Sequence, residues 1–338
     1  MTDHQTQPAN SDAPAVMSRR DAVMGAVAGL AAAAAGLTPA TEASAQAAAP
    51  ARGAADAGKQ SPLVSGEWLE KHLGDPGLRI IEVGNVLDDK SYREGHIPGA
   101  QRVYWKAACW HPTNRDFVTP DVMARMFGRM GIGPNTPVVL YGNAPVQYGN
   151  YGFWAFTMAG HKNLLLLDGG RKKWLADKRP MTTTVPSVAA VDYPTPVGDQ
   201  SMRVGRRDVR AHLRQPQRML IDYRSPEEFT GKRVIDYSFP FDHGAERFGH
   251  IPGAVHLEFR KLLNDDDSYK SADELRAVYA AHGIAPEKYE DVVGYCRLSH
   301  RASLGWFALT HILGYKNVKI YDGSWTEWGS IVGYPIEL

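Results

Sequence analysis

Residues 291–305 read DVVGYCRLSHRASLG, from Asp291 to Gly305. Val292 and Val293 have the character of a buried strand end, Cys296 closes it, and a short polar loop leads to a helix expected from Ala302. Ala302, Trp306, Leu309 and Leu313 fall at helical spacing on one face, which predicts an amphipathic helix. A strand that turns into a helix in this way sets the first loop residue above backbone N–H groups, at the positive end of the helix dipole. Cys296 holds that place. Arg297 and Arg301 add two cationic heads, and His300 adds a third charge when protonated. All these terms favour thiolate over thiol, and the thiolate is the nucleophile. A lone cysteine at a strand end is ordinarily a small apolar core residue. Two neighbouring arginines, at a strand-to-helix switch where ligands of open α/β sheets gather, turn the reading towards chemistry.

Working outward, the chain after Pro62 matches itself at a fixed offset of 154 residues. His96-Ile97-Pro98-Gly99-Ala100 recurs as His250-Ile251-Pro252-Gly253-Ala254. Val138-Val139 and Tyr141 recur as Val292-Val293 and Tyr295. Gly160 recurs as Gly314, Asp168-Gly169 as Asp322-Gly323, and Trp174 as Trp328. Agreement in so many separate segments means duplication, and the period is too long for a solenoid, so each unit is a whole domain.

The grammar of the two units is the same. A helical stretch (Ser65 to Leu73; Arg206 to Leu213) precedes a strand (Arg79 to Val83; Met219 to Tyr223). A polar loop then ends in the HIPGA turn. A helix follows (Thr119 to Met130; Ser271 to His282), then the strand that feeds the loop, the loop's helix, and a last strand (Leu164 to Leu167; Val318 to Tyr321). Strands alternating with helices predict an α/β fold in which each unit is a parallel sheet covered on both faces. The second unit carries an insertion before HIPGA, around Gly231 to Ala245. The expected boundaries are 62–190 for the first domain, 191–202 for a proline-containing connector and 203–338 for the second domain. In the first copy the position aligned with Cys296 is Gly142, in a loop reading Gly142-Asn143-Ala144-Pro145 with no thiol and no cation. The first unit is therefore expected to brace the second and to form one wall of its cleft. His96 and His250 recur in both copies, one of which lacks the cysteine, so both are assigned to turn structure. Cys109 lies outside the loop position and reads as a structural thiol.

Four residues separate Cys296 from Arg301. Cysteine-dependent phosphatases place five there, around a tetrahedral phosphate. The shorter loop makes a tighter ring of amides, suited to one extra sulfur carried on the cysteine. This resembles the active loop of the rhodaneses, the thiosulfate and mercaptopyruvate sulfurtransferases. The resemblance runs from about Leu63 to the C-terminus and implies two tandem rhodanese-like domains, the second catalytic. Cys-Arg-x-x-x-Arg-x-Ser, with Asp322-Gly323-Ser324-Trp325-Thr326-Glu327-Trp328 downstream, is most similar to bacterial thiosulfate sulfurtransferases. Those usually have glycine where Ser299 stands, acid where His300 stands, and in some family loops a base where Leu298 stands. Ser299 must then adopt the loop conformation with a Cβ, at modest cost if its φ is positive.

The resemblance implies transfer of sulfane sulfur from thiosulfate to cyanide or a thiol through a Cys296 persulfide, without metal or other cofactor. Arg297, Leu298, Ser299, His300 and Arg301 are the expected substrate-binding loop. Arg297 is the first choice for the anion, while Arg301 either joins it or folds back to brace the loop. Asp222, ending the first strand of the second unit, is expected to order the loop through hydrogen bonds. A mercaptopyruvate sulfurtransferase is the alternative on the same fold, disfavoured by Arg297. A binding module that carries persulfide for a partner without turnover is the alternative of a different class.

Composition sets the outer limits. The 338 residues, 43% apolar and 22% charged, are enough for ample cores, and a net charge of +1 gives no footprint for nucleic acid. No cysteine–histidine cluster has zinc-ligand spacing. A disulfide between Cys109 and Cys296 would silence the loop. Residues 1–45 read as an export signal: Arg19-Arg20, an alanine-rich run from Ala22 to Leu37, and Ala43-Ser44-Ala45 before a cut at Gln46. This resembles a bacterial twin-arginine signal, although Ala22 stands where a bulky apolar residue is usual. It implies a periplasmic mature chain, without stable membrane insertion, that begins with a linker over 46–61.

Overall fold

The computed structural model describes residues 61–87, 90–143, 145–234 and 244–338. The expected export signal lies outside them, as does the linker up to residue 60. In the first repeat, β1 (Leu63–Val64), β2 (Arg79–Gly84), β3 (Ala100–Tyr104), β4 (Val138–Gly142) and β5 (Leu164–Leu167) form one sheet in the order β1-β5-β4-β2-β3. In the second, β6 (Arg203–Val204), β7 (Arg218–Asp222), β8 (Val255–His256), β9 (Asp291–Tyr295) and β10 (Val318–Tyr321) take the order β6-β10-β9-β7-β8. Every pairing is parallel. The α/β reading and its duplication thus hold, strand for strand.

Local chemistry explains the elements. Ser65 caps the Gly66–Lys71 helix by accepting from Trp68 N, and Ser271 with Glu274 makes a capping box on Ala272–Ala281. Along β4, Val138 and Leu140 face one core, while Val139 and Tyr141 face another. The same alternation in β9 sends Val292 inward and Val293 and Tyr295 outward. Each sheet is therefore buried on both faces, as parallel sheets are. The inward faces of the two repeats share one continuous core.

That core is built around two helices that are each other's copies, Gln147–Met158 and His300–Phe307. Phe153 packs against Phe307 with ring centroids 5.1 Å apart. Here the sequence expectation needs correction. The second helix starts at His300, and all eight of its residues are buried, so it is not amphipathic. Its would-be solvent face is covered by the first repeat. At the HIPGA turns, His96 stacks on Tyr92, and its ring nitrogens face the Tyr92 carbonyl at 2.8 Å and the Thr184 carbonyl at 3.1 Å. His250 stacks on Phe229 and bonds Phe229 O.

Candidate active site

Cys296 follows the last residue of β9 and is 1% exposed. Its backbone N–H donates to Ser324 Oγ at 3.2 Å, and its carbonyl accepts from Trp325 N at 2.9 Å. The Arg297 carbonyl accepts from Thr326 N at 3.2 Å. The Asp322 to Trp328 segment thus holds the carbonyl side of the loop. Ser299 has φ 73°, the left-handed conformation expected of it, and its hydroxyl donates to Asp322 O at 2.7 Å. Ser299 is fully buried and is not among the residues lining the cavity, and its hydroxyl anchors the loop to Asp322. The helix that follows leaves its first amide groups without intrahelical acceptors, next to the thiol.

Arg301 is paired inside the protein. Its guanidinium makes a fork on Glu228, with Nη1–Oε2 at 2.6 Å and Nη2–Oε1 at 2.9 Å. Burial alone would raise the Glu228 carboxyl, but the Arg301 guanidinium, with Arg224 and the Ser225 N–H, outweighs it and lowers it to about 2. Arg301 itself is raised, Glu228 outweighing burial. Arg301 therefore braces the loop.

Asp222 ends β7 and is fully buried. Both of its oxygens are taken by Arg224, at 2.6 Å and 3.0 Å from the guanidinium, and Oδ1 also accepts Arg224 N. Arg224 is fully buried over the Trp325 ring and donates on to Gly249 O. A buried arginine two residues away holds the carboxylate, and Asp222 also bonds the side chain of Tyr295, the residue before Cys296. Glu228, Ser324 and Asp322 make the direct contacts to the loop. Sequence reading missed these three in that role, although Ser225-x-x-Glu228 is a legible capping box and both its bonds form.

The cavity over Cys296 is small, about 60 Å³, and is lined by Arg297, Leu298, His300 and Arg301 from the loop, Phe259 and Arg260 from the same repeat, and Pro145, Gln147 and Tyr148 from the first. The first repeat is thus one wall of the site. His300 is enclosed by Trp105, Tyr148 and Tyr151, with centroids 4.2, 4.8 and 4.3 Å away. Burial, then the charges of Arg297, Arg115, Arg301 and Lys106, pushes it well below its ordinary value. The third positive charge expected from His300 is therefore absent, and a neutral imidazole stands there. Its Nε2 and Gln147 Oε1 are buried without hydrogen-bond partners among the described residues.

The counterpart position in the first repeat is Gly142, which carries no thiol. A Cβ at Gly142 would lie 2.7 Å from Val146 O and 2.9 Å from Pro145 O. Cys109 is buried, and burial pushes its thiol up to about 12; both cysteines are free.

The sequence profile of the rhodanese-like domain matches residues 65–177 and 206–331, one match per repeat. The chain belongs to the rhodanese-like domain family. A Thermus thermophilus relative, named sulfur carrier protein TtuD, is 45% identical over 277 residues, covering 81% of this chain and 95% of its own. A Haloferax volcanii relative with the provisional name thiosulfate sulfurtransferase is 40% identical, covering 81% of this chain and 96% of its own. The solved anaerobic ergothioneine biosynthesis enzyme of Chlorobium limicola shares the rhodanese-like fold, with a TM-score of 0.70 at 24% identity, over 82% of this chain and 70% of its own. This rhodanese-like chain is a sulfurtransferase-family protein of two tandem domains. Among its described residues no helix is long and apolar enough to cross a membrane.

Proposed function

We propose that the chain takes sulfane sulfur from thiosulfate onto Cys296 and passes it to cyanide or a small thiol. The observation that carries this reading is the placement of Cys296 in a small cavity shared with Arg297, on a loop whose other arginine is already paired with Glu228. The Cys296 thiolate attacks the outer sulfur of thiosulfate. The S–S bond of the donor breaks, sulfite leaves with the bonding electrons, and a persulfide remains on the cysteine. Loop amides and the helix dipole stabilise the terminal sulfur's negative charge. Cyanide then attacks that sulfur, thiocyanate leaves, and the thiolate is restored. Arg297 binds the sulfonate end of the donor, for which a guanidinium is well shaped. His300, neutral in its aromatic cage, packs the cavity wall without competing for the anion.

Arg297→Ala is expected to lower kcat/KM for thiosulfate by about a hundredfold, as loss of a charge-assisted contact to a dianion does. Unchanged thiosulfate turnover in Arg297→Ala would contradict this assignment, and turnover of mercaptopyruvate but not of thiosulfate by the parent protein would favour mercaptopyruvate as donor. A second reading, persulfide carriage to a protein acceptor, draws on the name of the Thermus relative. Stable loading by thiosulfate without discharge to small acceptors would favour it. We also propose periplasmic export through the twin-arginine segment, supported by Arg19-Arg20 and the Ala43-Ser44-Ala45 cut. N-terminal sequencing of the mature protein from a periplasmic fraction tests this; an intact Met1 in the cytoplasm would contradict it.

A further inference from the structure

The helix that begins at the catalytic loop leads into a second feature that the sulfur chemistry does not use. Six residues past His300, about 9 Å along the axis, Trp306 is 5% exposed and its buried indole Nε1–H has no hydrogen-bond partner among the described residues. His311, on the π-helical turn Ala308–Ile312, has a buried Nε2 in the same condition. Their rings meet edge to face with centroids 5.1 Å apart. Both line a groove of about 360 Å³ bounded by Thr157, Met202, Lys316 and Lys319.

An indole N–H is a donor only, so what Trp306 lacks is an acceptor. Buried donors without one are uncommon in folded proteins, and single π-helical turns recur at functional sites. The charge of the groove points the same way. Lys316 and Lys319 line it and no carboxylate among the described residues does. Lys319 is committed to Asp291 at 2.7 Å, while Lys316 makes no ion pair among the described residues. The larger groove of about 810 Å³ at Arg203 is different, because Asp116, Asp322 and Glu327 already answer Arg115, Arg203 and Arg206 there. Burial and the Lys316 ammonium hold His311 down to about 4, so its imidazole is neutral at neutral pH and able to donate in one tautomer.

We propose that this groove binds a small oxyanion, which accepts hydrogen bonds from Trp306 Nε1 and His311 Nε2 and takes its counter-charge from Lys316. The site is separate from the Cys296 cavity, with which it shares no lining residue, and stands whichever sulfur donor the chain uses. The test is a titration of the whole mature protein with sulfate, phosphate and acetate in turn, at constant ionic strength, following the Trp306 indole N–H proton signal by NMR. Trp306→Phe assigns that signal by its loss, and the His311 ring signals give an independent readout if that variant does not fold. A saturable downfield shift is expected, preserved in Arg297→Ala and about tenfold weaker in affinity in Lys316→Glu, the scale of a charge reversal at an exposed position. Saturation by acetate alone would assign the site to carboxylates, and by sulfate or phosphate to tetrahedral oxyanions. Signals that stay fixed with all three probes, or drift without saturating and equally in Lys316→Glu, would overturn the proposal.

Discussion

At the scale of single residues, the loop depends on a carboxylate that no loop motif contains. Glu228 is fully buried and carries Arg301 in its fork. Its folded value of about 2 lies below the ordinary 4.5, so its contribution is complete above pH 4.5 and is lost as pH falls towards 2. The size is about 3 kcal/mol. Glu228→Gln is therefore expected to lower unfolding stability by about that amount at neutral pH, and to flatten the acid limb of the stability profile. Urea titrations at several pH values check both, and an unchanged acid limb would show that Glu228 is not the group responsible. Half of this residue was legible: Ser225 and Glu228 spell a helix cap. The other half was not, because Arg301 lies 73 residues on and only the fold brings the two together. The same holds for His300, whose neutrality comes from Trp105, Tyr148 and Tyr151 of the other repeat.

At the scale of elements, the helix that follows Cys296 is positioned by close packing on its own sheet. A Cβ on Gly305 would lie 2.1 Å from Tyr223 Cζ, and one on Gly294 would lie 2.8 Å from the same ring. Tyr223, following β7, thus wedges between β9 and the helix. Gly305→Ala is expected to cost about 2–3 kcal/mol through overpacking, and to lower turnover by tilting the loop; urea midpoint and kcat measured on one preparation check this. A midpoint within error of the parent would mean that Tyr223 moves aside freely. Elements were the most legible level. Apolar runs fixed β5 and β10 at Leu164–Leu167 and Val318–Tyr321, as expected. The amphipathic reading of the His300–Phe307 helix failed because periodicity reports how much of a helix is apolar, not what covers the remainder.

At the scale of the whole molecule, duplication supplied two copies of one helix, and these became the interface. The sequence repeat revealed the copies, but not that Gln147–Met158 would face His300–Phe307 and close the cavity over Cys296. Around that seam Lys172 donates to Asp267 at 3.1 Å and Lys173 to Asp266 at 2.8 Å. Asp168 accepts from Tyr269 N at 2.8 Å, and burial raises its carboxyl to about 6. Since the folded value exceeds the ordinary 3.8, the folded state holds this proton more tightly, and stability falls as pH rises from about 4 through about 6. Asp168→Asn keeps the acceptor and removes the charge. It is expected to raise stability at neutral pH by about 2 kcal/mol, with little gain at pH 4, read from thermal unfolding at the two pH values. Equal shifts at both would argue against a buried ionised Asp168. The central claim is sulfur transfer through Cys296, and the intact mass of the mature protein after incubation with thiosulfate alone tests it most directly. A gain of one sulfur atom, absent in Cys296→Ser and discharged by cyanide, is the expected result; no gain from thiosulfate, or a gain that persists in Cys296→Ser, would contradict it.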